Sequence, residues 1–187
     1  MLEINVDNCF IDTYGHWSEE NVSEMYEKGL VTGVSESRFE PEREVTRAEF
    51  AKMVCNLLGI KPSEYSDKSL EVFADFENIP VWAEDYIKAV YYNNIITGKE
   101  DGELLYYEPQ CQLTRAEAAT VITRILPQKL YKKSLEFTDK DTIPSWANVG
   151  FKTLYASGLI EGYDDNTIRP NGKITRAEAV TMLYNIY

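Results

Sequence analysis

Histidine is almost absent from this chain: His16 is the only one in 187 residues. That removes most histidine-based metal sites and histidine-dependent nucleophilic catalysis. Cysteine is scarce as well, with Cys9, Cys55 and Cys111. An odd number at unrelated spacings argues against a disulfide framework or a zinc site. Basic residues are outnumbered, Lys+Arg 19 against Asp+Glu 31, for a net charge of −12 and a pI near 4.6. Nucleic acid and anionic membranes are therefore poor general partners, and an anionic ligand would need local positive sites. No apolar run reaches membrane-spanning length, so no membrane insertion is expected. The segment from Met1 to Phe10 lacks a basic stretch followed by an apolar core and does not read as a signal peptide. The chain is then either intracellular or a piece of a longer exported protein.

What is abundant is repetition. Thr46-Arg47-Ala48-Glu49 recurs as Thr114-Arg115-Ala116-Glu117 and as Thr175-Arg176-Ala177-Glu178, at intervals of 68 and 61 residues. A fixed internal period marks a repeat architecture. A single repeat of about 60 residues would bury only about 60% of its unfolded surface. One compact unit of three pseudo-equivalent parts is therefore expected, with no cofactor.

The tetrad reads as a capping box. The threonine hydroxyl accepts from the N3 amide, and the glutamate reaches back to the N-cap amide. Val45, Leu113 and Ile174 precede it where a hydrophobic staple would begin. Arginine at the first helical position is electrostatically unfavourable, because the macrodipole is positive there. Two roles stay open. The guanidinium and the helix amides could hold an anion, or each arginine could only fix a neighbouring loop.

Other features recur in register. Each repeat opens on Phe-x-Asp (Phe10 and Asp12, Phe73 and Asp75, Phe137 and Asp139) and continues to Trp17, Trp82 or Trp146. Pro80 and Pro144 stand two residues before the second and third tryptophans. Apolar residues at helical spacing follow each tryptophan, as in Val22, Met25 and Tyr26. The Trp and Tyr stripe reads first as core, with a ring lining a site as the alternative. Gly29, Asn94 and Gly158 suit left-handed helix stops. Gly33, Gly98 and Gly162 then permit a turn or a close backbone approach. The polar loop Tyr163–Thr167 is acidic but misses the spacing of a calcium loop, and reads as a β-turn. The second repeat has a longer loop, Lys99 to Tyr106. From each tetrad a second helix presents a wide apolar face that belongs in a core. Linkers are placed at 61–72 and 127–136; the second carries Lys129, Lys132 and Lys133, read as a solvated linker.

This ordered set, Phe-x-Asp, a Trp helix, Gly-Leu-Ile-x-Gly, Gly-Tyr-Asp-Asp-Asn-Thr and Ile-Thr-Arg-Ala-Glu, resembles the S-layer homology domain family. The resemblance covers about residues 10 to 187, with repeats at 10–60, 73–126 and 137–187. It implies an all-α unit of three helix–loop–helix repeats with pseudo-threefold symmetry around a central helical bundle. It also implies a non-catalytic, extracellular module that anchors a larger exported protein to the cell wall or S-layer. The partner would be an anionic secondary cell-wall polysaccharide, often bearing a pyruvylated amino sugar, held in grooves between repeats. The family's binding arginine maps to Arg47, Arg115 and Arg176. Asp12, Asp75, Asp139, Trp17, Trp82, Trp146, Gly33, Gly98 and Gly162 follow by analogy, although the aspartates could instead only cap the Trp helices. The altered second loop makes the groove around Arg115 the expected weak one. A structural module of a surface lattice is the competing reading. A two-carboxylate glycosidase is disfavoured, because no acid stands apart from the repeat pattern.

Overall fold

The computed structural model describes residues 9–126 and 133–187. The lead-in 1–8 and the linker lysines Lys129 and Lys132 lie outside the described residues. Each repeat supplies a first helix, α1 (Glu19–Glu27), α3 (Glu84–Tyr92) and α5 (Asn148–Ala156). Each also supplies a second helix, α2 (Arg47–Leu57), α4 (Arg115–Ile125) and α6 (Arg176–Tyr184). Among the described residues the only sheet is a hairpin in the second repeat, β1 (Lys99–Asp101) and β2 (Leu104–Tyr106), which is what the longer loop becomes. The chain is thus all-α with three repeats, as its sequence pattern predicts.

The second helices are the inner set. In α2, seven of eleven residues are buried, whereas α1 buries only Val22 and Met25. All three capping boxes form, with both halves present. The helix stops also form as expected. Gly29, Asn94 and Gly158 take φ of 71°, 58° and 68°. The following amides of Leu30, Ile95 and Leu159 then donate to Met25, Val90 and Leu154 at 2.9 Å.

The residues ahead of the tetrads close a ring. The Val45 amide donates to Ile174 O, Ile174 to Leu113 O, and Leu113 to Val45 O, at 3.0, 3.0 and 2.9 Å. All three side chains are buried where the inner helices begin. Three non-local hydrogen bonds thus seal the centre of the pseudo-threefold arrangement.

Packing does not follow the sequence repeats. The main helix contacts are α2 with α3, α4 with α5, and α6 with α1, so each inner helix rests on the outer helix of the next repeat. At the α6–α1 contact, Asn21 donates to Thr181 at 3.0 Å and the Tyr184 hydroxyl to Glu24 at 2.7 Å. The cycle therefore closes between the first and last repeats. Within a repeat the second helix ties back through a polar residue: Asn56, Arg124 and Asn185 donate to Leu30 O, Ile95 O and Leu159 O at 3.1, 2.9 and 3.1 Å.

The stretch 61–72 is more than a spacer. It forms a 3-10 turn at Pro62–Tyr65, buries Leu70, and its Ser66 carbonyl accepts from Lys88 Nζ at 3.2 Å.

Candidate functional site: three grooves built from all three repeats

Opening phenylalanines, glycines and aspartates build the walls. Phe10, Phe73 and Phe137 meet Tyr26, Tyr91 and Tyr155 edge to face, with centroids 4.8, 4.9 and 5.1 Å apart. Each ring also lies against the repeat's glycine. A β-carbon on Gly33 or Gly162 would collide with Phe10 or Phe137, and one on Gly98 would come 2.7 Å from Phe73. Close approach to the ring thus disfavours any β-carbon at all three places, together with nearby loop carbonyls at Gly33 and Gly162 and a φ of 83° at Gly98.

The aspartates act across the loop. Asp12 accepts from the Phe39 and Glu40 amides, Asp75 from Tyr107 and Glu108, and Asp139 from Ile168 and Arg169, all at 2.8 Å. The second residue of each pair, Glu40, Glu108 or Arg169, is left-handed, with φ of 59°, 56° and 49°. Left-handed backbone is costly for a residue with a β-carbon, and the carboxylate holds it in place. These aspartates therefore do not cap the Trp helices, and they are not among the residues that line the three grooves.

The tetrad amides are also occupied, which removes one basis for an anion site at the helix N-terminus. The N1 and N2 amides of Arg47 and Ala48 donate to Cys111 O and Pro109 O in the second repeat. Arg115 and Ala116 donate likewise to Gly172 and Pro170, and Arg176 and Ala177 to Arg43 and Pro41. With the N-cap and N3 amides used by the capping box, none of the first four amides is left over.

The arginine side chains follow their amides into the next repeat. They are 4%, 8% and 4% exposed for Arg47, Arg115 and Arg176. Arg47 donates from Nε to Tyr107 O at 2.7 Å and from Nη1 to Glu117 at 2.8 Å. Arg176 donates to Phe39 O at 2.8 Å and Thr32 O at 2.9 Å, with Glu49 at 3.7 Å. Arg115 donates to Glu161 O at 2.8 Å, and its Nε is buried with no acceptor. Each arginine thus fixes a neighbouring loop while its guanidinium also forms part of a groove.

Three grooves result. The first, about 200 Å³, has walls of the first repeat (Thr32, Gly33, Lys52), Arg176 from the third and Trp82 from the second. The second, about 890 Å³, has walls of the second repeat (Thr97, Gly98, Thr120), Arg47 from the first and Trp146 from the third. The third, about 920 Å³, has walls of the third repeat (Gly162, Tyr163, Thr181), Arg115 from the second and Trp17 from the first. Glu49, Glu117 and Glu178, the capping glutamates, line them in turn. The arginines, tryptophans and glycines named from sequence therefore do meet, but each trio is drawn from three different repeats.

This changes two expectations. The tryptophans are not core: Trp17, Trp82 and Trp146 are 59%, 50% and 56% exposed. They precede their helices, two of them within 3-10 turns, so the phase of the buried stripe does not extend to them. The altered hairpin loop, in turn, borders the groove of Arg47 rather than that of Arg115. Sequence reasoning missed Lys99, whose Nζ is 2.6 Å from Glu108 and 2.9 Å from Glu117, and Tyr163, whose hydroxyl donates to Glu178. Both directly follow the groove glycine, a position that does not repeat: Val34, Lys99, Tyr163.

Electrostatics separates the grooves. Burial alone would push Glu117 up, but the Thr114 amide, Arg47, Lys99 and the Thr114 hydroxyl together hold it below its ordinary value. Burial likewise acts to raise Glu49, and Arg43, the Thr46 amide and Arg176 reverse the shift. Burial pushes the Tyr163 phenol up to about 12, so it remains a donor.

The S-layer homology domain model matches residues 10–51, 72–119 and 136–180. An amylopullulanase of Thermoanaerobacterium thermosulfurigenes is 30% identical over 96% of this chain and 10% of its own length. The cellulosome-anchoring protein of Acetivibrio thermocellus is 38% identical over 78% of this chain and 32% of its own. An S-layer protein of Bacillus thuringiensis subsp. finitimus is 28% identical over 90% of this chain and 20% of its own. The chain thus spans a third or less of the length of these relatives. With three matched segments that coincide with its three groove-forming repeats, the chain belongs to the S-layer homology domain family.

Proposed function

We propose that this chain is a non-catalytic module that attaches a larger exported protein to the bacterial cell wall, by binding an anionic secondary wall polysaccharide in its inter-repeat grooves. The observation that carries the reading is the composition of each groove: one arginine, one exposed tryptophan and one close-packed glycine, contributed by three different repeats. An indole face beside polar groups suits a sugar ring. A guanidinium suits a single carboxylate, such as that of a pyruvate ketal. The relatives support attachment to a surface, since one is named as a cellulosome-anchoring protein and another as an S-layer protein. Relatives named as enzymes share only a small fraction of their length with this chain, which fits a common attachment module joined to different catalytic parts.

The test is co-sedimentation with Gram-positive sacculi before and after chemical removal of their secondary polymer. Binding lost on stripping is the expected result. Equal binding to both preparations would move the assignment to peptidoglycan. No binding to native walls would favour a protein partner within a surface lattice.

A further inference from the structure

The three grooves share a plan but not a charge state, and the difference traces to the residue after the groove glycine. In the second groove that residue is Lys99, and Glu117 is shared between it and Arg47. Arg47 therefore faces a carboxylate already. In the first groove Val34 offers no polar group, Arg43 takes Glu49 at 2.7 Å, and Arg176 is held by two loop carbonyls with Glu49 beyond them.

The third groove differs. Tyr163 donates its hydroxyl to Glu178, and its ring covers the Arg115 guanidinium, 5.1 Å from ring centroid to Cζ. Among the described residues, Arg115 has no carboxylate at ion-pairing distance, and its Nε is a buried donor without an acceptor. Its counterparts Arg47 and Arg176 both satisfy Nε on a loop carbonyl, at 2.7 and 2.8 Å. An unsatisfied buried donor is a standing cost that an incoming acceptor removes. The other charges around the groove are largely engaged: Glu42 with His16 at 2.6 Å, Arg169 with Asp165 at 2.9 Å, and Lys173 with Gln112 O at 3.0 Å.

We propose that the third groove is this chain's carboxylate-selective groove, and that Tyr163 is the positioning residue that makes it so by keeping Glu178 from pairing with Arg115. This rests on the glycan-binding reading above. A carboxylate that enters beside the Tyr163 ring, leaving its hydroxyl on Glu178, takes the Arg115 Nε edge, the bond for which the protein has no internal partner. The second groove, with its arginine and lysine already sharing Glu117, suits a neutral sugar.

The experiment is calorimetric titration of the intact chain with a pyruvate-ketal methyl glycoside of an N-acetylated amino sugar, and with the methyl ester of that ketal. Wall co-sedimentation is run in parallel. The acid should bind and the ester should not. Arg115→Lys keeps the charge but loses the guanidinium edge, and should weaken the acid about 10- to 100-fold. Arg47→Lys and Arg176→Lys, in the other two grooves, should weaken the acid less than Arg115→Lys does. Tyr163→Phe frees Glu178 to compete for Arg115 and should weaken binding while the chain stays folded, as read by circular dichroism. Adding Glu178→Gln, which preserves the capping box, should restore binding, an outcome that a merely structural tyrosine would not give.

Acid binding that survives Arg115→Lys, or that Arg47→Lys or Arg176→Lys weakens as much as Arg115→Lys does, overturns the proposal and leaves the anchor reading standing. The same holds if native walls are bound but neither sugar is, or if the double variant fails to recover. Absence of wall binding by the parent chain removes both.

Discussion

Arg47 Nη1 lies 2.8 Å from Glu117 Oε1, joining the capping arginine of one repeat to the capping glutamate of the next. One carboxylate thus serves three tasks: it closes its own capping box, receives a neighbour's arginine and receives Lys99. Removing it leaves a nearly buried guanidinium without its charge partner. Glu117→Gln should lower stability by about 1–3 kcal/mol, read from urea denaturation, with the fold retained because glutamine also completes a capping box.

The same carboxylates set the acid limit. The folded-state values of Glu117, Glu49 and Asp12 all lie below their ordinary values. Groups depressed on folding contribute stability that is fully present above the unfolded value and lost as pH falls through the folded one. The melting temperature should therefore be flat between about pH 5 and 8 and fall steadily between about pH 4.5 and 3. Glu117→Gln should shallow that fall. A melting temperature that rises on acidification would contradict the assignment.

Asp139 offers a test that separates loop architecture from ligand contact. Its two oxygens hold the amides of Ile168 and of left-handed Arg169. Asp139→Ala should cost about 1.5–3 kcal/mol, the range for hydrogen bonds to a charged group. Wall binding per folded molecule should stay unchanged, because the side chain does not border a groove. Binding loss in fully folded protein would return Asp139 to the site.

Trp17 should behave in the opposite way. Its indole is mostly exposed, so Trp17→Ala should change stability by no more than about 0.5 kcal/mol. If the third groove carries the glycan, wall co-sedimentation should drop sharply. Unchanged wall binding would remove the tryptophan from the site.

At Gly162 a β-carbon would collide with the Phe137 ring. Gly162→Ala should destabilise by about 1–3 kcal/mol through overpacking. Adding Phe137→Leu should recover part of that loss in a double-variant cycle.

Sequence periodicity carried the local structure well. Capping boxes, left-handed stops and buried helix faces all depend on residues within a turn or two of one another, and such relations repeat visibly. The loop glycines were legible as close approaches, although the phenylalanine they approach is 23 to 25 residues away. What stayed hidden is non-local. Nothing in the tetrad says that its arginine points into the following repeat, and that one displacement moved the altered loop from the groove of Arg115 to the groove of Arg47. The tryptophans misled for a geometric reason, since a 3-10 turn ahead of a helix breaks the phase by which burial is read. Tyr163 and Lys99 left no signal because their meaning lies in differing from each other at a position where the pattern varies.

The hydrogen-bond ring through Val45, Leu113 and Ile174 makes this a closed count rather than an extendable array. A solenoid tolerates loss or gain of a unit at either end; here removing one repeat strands an inner helix and an outer helix and takes a part from every one of the three grooves. The module should therefore be transplantable only as a trio. Its order along the chain, in contrast, is nearly arbitrary. Linking the third repeat to the first and opening the chain between two others would keep the helix pairings α2 with α3, α4 with α5 and α6 with α1, so circularly permuted versions should assemble the same ring.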